Sequence, residues 1–412
     1  MSSGKTTIGF SGDFSFSGYF SGCFRDDGLL DDGIKAFLAE NDYNVINFES
    51  PITPCRITKK RRLAHRSAPE VLGFVKEHVP NAVLSFANNH MMDFGPIGVV
   101  DTIDACRQYD IPCIGIGLDI NEAAQYLILG DEVKVGVLAV EYKKHLIAGE
   151  NSGGPLHESS VDVIKSQLEK LKAQADHVVL VYHGGEEFLR TPMPYTRRQL
   201  KKYLDWGADV VVAHHPHVVQ GFEPVGKKAI FYSLGNFVFD TSYQRVQEDT
   251  DKGMLLSLSF DKNGFTYKYL PTFIDRANKR VTVGEDIAWF EDIRNGYDKR
   301  WSREAARRVD VKERAKLLRE EELAKIAEHQ ESELVRLAEV QLRADIAEAK
   351  EAGLDYEPEE EEAAEEEATE APRKARRRII RRLYRKLIVQ RKENHKKFVL
   401  NVGKIKAKTI YK

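Results

Sequence analysis

A chain of 412 residues exceeds one small domain and suits one large α/β domain with an appendage. Its 42% apolar residues can fill a sizeable core, while 31% charged residues exceed the roughly 25% of an average soluble domain. The excess is segregated: residues 373–412 carry 17 Lys and Arg against one acid, Glu393, a local charge of +16 that leaves −18 for the remainder of a chain whose total is −2.

No run approaches the roughly 18 consecutive apolar residues of a membrane helix, and residues 1–5 lead into a strand pattern rather than a signal peptide. The sequence therefore predicts a cytoplasmic protein, peripheral at most to the inner face of a membrane. Cys23, Cys55, Cys106 and Cys113 form no CxxC pair, which argues against a disulfide framework or a zinc ribbon.

From residue 8 to about 274, short β-branched runs alternate with amphipathic segments, the pattern of a layered α/β domain. Nearly continuous apolar runs at 45–48, 82–86, 135–138, 178–181 and 210–212 suit strands buried on both faces. Helices are expected at 101–109, 160–174 and 196–206, the last closed by Gly207. Runs at 229–237, 254–260 and 265–273 read as antiparallel strands, the last two joined at Lys262-Asn263-Gly264. The strand signals stop near 285. This gives four segments: a domain over 1–285, a helical extension over 286–356, an acidic linker over 357–372 and a basic amphipathic tail over 373–412.

The chemistry-bearing residues share one placement, each following the end of a buried run: Asp13; Asn47 and Glu49; Asn88, Asn89, His90 and Asp93; His183; His214, His215 and His217. Ligands of open α/β sheets collect beyond the carboxyl ends of strands, so these loops are expected to converge. Carboxylates, amides and imidazoles together suit Mn, Fe or Zn and are too rich in nitrogen for Ca or Mg. Two ions sharing a carboxylate would orient a hydroxide and stabilise a transferring phosphoryl group, and a rim histidine would protonate the leaving oxygen.

The motifs Gly12-Asp13, Asn47-Phe48-Glu49-Ser50-Pro51, Ala87-Asn88-Asn89-His90-Met91-Met92-Asp93-Phe94-Gly95, His183-Gly184-Gly185-Glu186-Glu187, His214-His215-Pro216-His217-Val218-Val219-Gln220 and Ser233-Leu234-Gly235-Asn236-Phe237 occur in order. Over residues 8–275 they resemble the bacterial capsule-synthesis CapA family of the poly-γ-glutamate type, itself similar to calcineurin-like metallophosphatases. The resemblance implies a four-layer α/β/β/α sandwich and two divalent ions. It implies Asp13, Glu49 as the bridging carboxylate, Asn89, His183, His215 and His217 as metal ligands, with His90 as the acid or phosphate contact.

Asn47, Asn88, Asp93, Glu186, His214, Asn236 and Arg62 are candidates for supporting or substrate-contacting roles. His214 stands open between ligand and support, Asn236 between a tie to the site and a buried turn amide, and Asp93 reads first as a turn residue. Two motifs depart from the family. Asp13 is followed by Phe14-Ser15 where the superfamily has Asp-x-His, and Gly184 replaces a frequent aromatic residue, which would open the pocket wall. His65 and His78 stand alone in the sequence and carry no functional expectation.

The resemblance implies a metal-dependent phosphoesterase-like enzyme of capsule or surface-polymer synthesis. The alternative is a non-catalytic factor that holds an anionic polymer or recruits a capsule synthase complex. Arg56, Lys59, Lys60, Arg61, Arg62 and Arg66 make either a solvated face or an electrostatic funnel for a phosphorylated or polyanionic substrate. In the tail, Ile379, Ile380, Leu383, Leu387 and Ile388 recur among arginines as in a basic helix lying on an anionic membrane. No RNA- or DNA-binding motif appears, so sequence-specific nucleic-acid binding is not expected.

Overall fold

Alternation along single strands sets the layering. The computed structural model describes residues 4–56, 58, 64–142, 146–304, 306, 307 and 311. In it the strand His177–His183 turns Val179 and Val181 to one side and Val178, Leu180 and Tyr182 to the other, because strand side chains alternate with period two. Both sides are apolar, so both faces must be covered. All the described residues except Cys55, Arg56 and Thr58 belong to one unit.

A seven-stranded sheet runs in the order Arg280–Val283, Gly264–Asp275, Lys252–Asp261, Thr6–Phe10, Tyr43–Asn47, Ala82–Ser85, Cys113–Ile114. The last four are mutually parallel, and the first three attach antiparallel. A six-stranded sheet runs Val219–Val225, Lys228–Leu234, Val210–His214, His177–His183, Val135–Glu141, Leu127–Leu129, with the inner four parallel and both edge strands antiparallel.

Between the sheets, Ile8, Phe10, Val45, Val83, Leu256 and Leu258 of the first pack with Val135, Val137, Val179, Val181, Val210 and Val212 of the second. Burying each such side chain contributes about 1.5–3 kcal/mol. On the outer face of the first sheet, Ile46, Leu84 and Leu255 meet the helices Asp32–Ala39, Val71–His78 and Pro96–Gln108 through Ile34, Phe37, Leu72, Val75, Val99 and Ile103. On the outer face of the second, Leu138, Val178, Leu180 and Val211 meet Val161–Gln174 and Pro194–Asp205 through Ile164, Leu168, Leu200 and Tyr203. The result is the expected four-layer α/β/β/α sandwich.

The expected strand runs and the hairpin are present, with three differences. The segment expected as one antiparallel strand over 229–237 is divided: Lys228–Leu234 pairs antiparallel with Val219–Val225 but parallel with Val210–His214, and Asn236–Val238 pairs elsewhere, with Asp13–Phe14. Gly235, at φ +67°, makes the break. The helix expected from 101 begins a turn earlier, at Pro96, whose ring suits a first turn. Asp32–Ala39 and Val71–His78 were not anticipated, although Asp31 caps the former by accepting from the Ile34 N–H at 2.9 Å.

Beyond residue 285 the chain still packs on the sandwich. Ile287 and Phe290 join the core between the sheets, Ile293 joins an outer one, and Glu304 accepts from the Arg190 N–H at 2.9 Å. Apart from residue 311, the segment from 308 onward lies outside the described residues, and with it most of the helical extension, the acidic linker and the basic tail. No helix among the described residues is long and apolar enough to cross a membrane.

The helix Pro194–Asp205 is tied to the sheet edge by charge as well as by packing. Buried Glu223 accepts from Arg197 Nε and Nη2, both at 2.7 Å, from Tyr232 Oη at 2.8 Å, and lies 2.7 Å from Lys201 Nζ. Burial alone would raise its pKa, but these donors hold the carboxyl at about 2, against an ordinary 4.5. A depressed folded-state pKa stabilises above the unfolded value and loses that contribution as pH falls through the folded one. Glu223→Gln is therefore expected to cost about 2 kcal/mol near neutral pH. In urea titrations across pH the gap from wild type should narrow between about 4.5 and about 2; a gap independent of pH would assign the loss to shape rather than charge.

Candidate functional site

Both sheets direct parallel strands toward one end, and the residues singled out above follow those ends. Close backbone approach fixes the first of them. A Cβ on Gly12 would lie 2.4 Å from the Gly235 carbonyl oxygen. That bare contact lets the Asp13 N–H donate to the Gly235 carbonyl at 2.9 Å and sets Asp13 beside Asn236. Gly235 itself adopts φ +67° with the Lys252 carbonyl 2.6 Å from where a Cβ would stand.

The side chains form one buried network. Asn47 Nδ2 donates to Asp13 Oδ1 at 2.8 Å and lies 3.2 Å from His183 Nδ1. His183 Nε2 is 2.7 Å from Asn89 Oδ1 and 3.5 Å from Glu49 Oε1. His217 Nδ1 is 3.0 Å from both Asp13 Oδ2 and Asn236 Oδ1, and its Nε2 is 3.8 Å from Glu49 Oε1. The His183 and His215 rings stand 4.9 Å apart, and those of His215 and His217 5.8 Å. His215 and His217 take φ +96° and +59°, positions costly for side chains of this size and typical of functional sites.

Two groups of potential donor atoms, each mutually within 4.8 Å, share one member: Asp13, Glu49 and His183 in one, Glu49, His215 and His217 in the other. Among the described residues neither Glu49 oxygen has a hydrogen-bond partner, although the side chain is fully buried. Such a carboxylate is costly unless a cation or a proton satisfies it. The mixed oxygen and nitrogen set fits a divalent transition ion.

The electrostatics agree. Burial pushes the Glu49 pKa up and Asp13 adds to that. Burial would also raise Asp13, but the His217 contact and the surrounding histidines bring it below its ordinary value. Burial works against a charge on His217, yet Glu49 and Asp13 lift its pKa to about 9. His214, pushed down by burial to about 4, is neutral beside Asp13, with Nδ1 3.9 Å from Asp13 Oδ1.

His90 stands at the rim. Its Nδ1 lies 2.8 Å from Asp93 Oδ2, and its Nε2 is 3.8 Å from Glu49 Oε1. Asn88 supports the turn, accepting from the His90 N–H at 3.1 Å and donating to the Phe48 carbonyl at 2.8 Å. Asp93, read first as a turn residue, is also the partner of His90. Asn236 both contacts His217 and donates to the Thr250 carbonyl at 2.9 Å, so the tie and the turn amide coexist.

Other candidates lie elsewhere. Glu186 is hydrogen-bonded by Tyr195 Oη, whereas Glu187 comes within 3.7 Å of His215 Nε2. Arg66 donates to the Thr53 carbonyl at 2.9 Å, and Arg62 lies outside the described residues. The opening expected at Gly184 is filled: a Cβ there would meet Tyr142 Cβ at 2.6 Å, so Tyr142 supplies the aromatic wall from another strand end.

His65 was missed. It is buried, its ring centroid is 4.1 Å from that of His90, and its N–H donates to Asp93 Oδ2 at 2.7 Å. Its Nδ1 meets Ser17 Oγ at 2.7 Å, and Ser17 is bonded in turn to Ser15. No local pattern marks His65, because its neighbours arrive from distant segments.

A family model described as bacterial capsule synthesis protein PGA_cap matches residues 7–241. The capsule biosynthesis protein CapA of Bacillus anthracis is 34% identical over 225 residues, 52% of this chain and 54% of that protein. The PGA biosynthesis protein CapA of Bacillus subtilis (strain 168) is 29% identical over 248 residues, 59% and 63% of the two lengths. The chain thus spans between about half and just under two thirds of these relatives. Among solved structures, TT1561 of Thermus thermophilus overlaps with a TM-score of 0.35 and 9% identity, covering 68% of this chain and 98% of that one. The 5'-nucleotidase from Candida albicans SC5314 gives 0.38 and 11%, covering 64% and 51%. Overlaps of this size leave the fold resting on the layers described above.

The Gly12 contact is testable. Gly12→Ala places a methyl group against a backbone oxygen and should destabilise by about 1–3 kcal/mol. Gly264→Ala, where nothing lies within 4 Å, should stay within about 0.5 kcal/mol of wild type. Urea unfolding of both variants checks this, and equal stabilities would refute the steric account of Asp13 placement.

Proposed function

We propose, for a chain that belongs to the bacterial capsule synthesis family PGA_cap, that the strand-end cluster is the metal centre of a phosphoesterase-like enzyme. Its substrate on this reading is a phosphorylated or polyanionic intermediate of capsule or poly-γ-glutamate synthesis, the processes for which the Bacillus relatives are named. The observation that carries the reading is Glu49, common to both donor groups and, among the described residues, without a hydrogen bond on either buried oxygen.

Asp13, Asn89 and His183 on one side of Glu49, and His215 and His217 on the other, are the residues to hold two Mn, Fe or Zn ions. Such ions lower the pKa of water and stabilise charge on a transferring phosphoryl group.

The chain's own groups position and protonate. Asn47 orients Asp13 and His183 together. Phe239 stacks on His217 with ring centroids 5.1 Å apart, and Phe188 lies 5.9 Å from it, so apolar walls fix that imidazole and keep water from it. Asp93 accepts from the His65 N–H and holds His90 Nδ1, which leaves His90 Nε2 directed toward Glu49 and able to give a proton to a leaving oxygen.

One observation favours the alternative, a factor that binds an anionic polymer without turning it over. Ser15 offers no imidazole, and its hydroxyl is engaged with Ser17.

Two variants separate these readings, with bis(p-nitrophenyl) phosphate as the phosphodiester probe. Glu49→Gln keeps the shape and removes the shared charge, so bound metal and hydrolysis should each fall by about tenfold or more. His90→Ala should retain the metal and lose roughly 10²–10⁴-fold in turnover. Unchanged metal content in Glu49→Gln would remove the bridging role. A metal-replete wild type inert toward phosphodiesters and monoesters alike would favour the binding factor.

A further inference from the structure

His78 ends the helix Val71–His78 with a side chain only 8% exposed, and among the described residues its buried Nε2 has no hydrogen-bond partner. The ring leans on Phe74, with centroids 4.4 Å apart. A buried imidazole nitrogen in this state is costly unless something satisfies it. It faces Asp27 Oδ1 at 3.9 Å, beyond hydrogen-bond range. A carboxylate oxygen of Glu77 completes a set of three donors within 4.8 Å of one another. Two donors that each bind a tetrahedral ion at about 2.0–2.2 Å lie about 3.3–3.6 Å apart, so the exposed Asp27 side chain, now 3.9 Å from His78 Nε2, has only a few tenths of an ångström to move to share an ion with it.

The loop is built to hold Asp27 there. Its backbone carbonyl accepts from Lys35 Nζ at 2.9 Å, and the preceding Asp26 Oδ1 accepts from the Gly28 N–H at 2.9 Å, fixing the turn on either side. The Asp27 carboxylate has no hydrogen bond among the described residues and is 89% exposed, so the position opposite the helix stays open to solvent.

We propose that Asp27, Glu77 and His78 form a second metal site, separate from the strand-end cluster, which takes one zinc-class divalent ion and clips the loop bearing Asp27 onto the helix Val71–His78. One imidazole nitrogen and two carboxylates with an open position match the preference of zinc. The clip joins segments already in contact through aromatic rings: Phe16 packs on Phe24 at 5.7 Å and on Phe74 at 5.2 Å. Phe16 closely follows Asp13, so the ion would steady the strand end that feeds the main cluster.

Zinc(II) is the probe, added to the full chain after chelation. Asp27→Asn alters an exposed side chain and should fold as wild type; it and His78→Gln should each lose one zinc per chain, or bind it about tenfold more weakly. The metal that depends on Glu49 should be unaffected in Asp27→Asn, and the Asp27-dependent zinc should persist in Glu49→Gln. Zinc should also slow amide exchange over residues 22–31 in wild type but not in Asp27→Asn. Equal zinc content in wild type and both variants, with exchange unchanged by zinc, overturns the proposal.

Discussion

Two carboxylates, Asp13 and Glu49, are fully buried side by side, and the groups that favour their charge are histidines. Like charges out of water repel and lose hydration, so the arrangement persists only if positive charge or donated protons surround it. Much of the local architecture answers that requirement. Asn47 donates to Asp13, His217 faces both carboxylates, and neutral His214 sits where a second cation is not needed. The remaining deficit lies on Glu49, the group best placed to be shared between two ions.

The sandwich makes this possible because its two parallel sets of strands end on the same side. Each contributes loops, and neither alone holds the set: Asp13, Glu49, Asn89 and His90 come from the first sheet, His183 and His214 to His217 from the second. The apolar layer between the sheets, from Ile8 to Val212, thus determines the separation of the two halves of the site. Left-handed backbone at His215 and His217 then turns both imidazoles inward, at a conformational cost borne by the surrounding packing.

What the sequence made legible follows from what each element buries. Strands such as His177–His183 lie between two apolar layers and read as unbroken apolar runs, so their ends, and the residues just beyond them, could be located. Helices of only about two turns, Asp32–Ala39 among them, are too short for a helical period to stand out. The supporting contacts were not legible at all. His65 against His90, Tyr142 over Gly184 and Glu223 beneath Arg197 each join segments that only the folded chain brings together, and no spacing rule encodes them. The parallel side of Lys228–Leu234 escaped for the same reason, since a strand's neighbours are tertiary facts.

The central claim is that Glu49 lies between two cations. Anomalous diffraction from crystals of the full chain equilibrated with manganese tests it most directly. The account predicts two peaks flanking the Glu49 carboxylate, one toward Asp13 and His183 and the other toward His215 and His217. A well-ordered cluster with no anomalous density at Glu49, at manganese concentrations that load other sites, would contradict it.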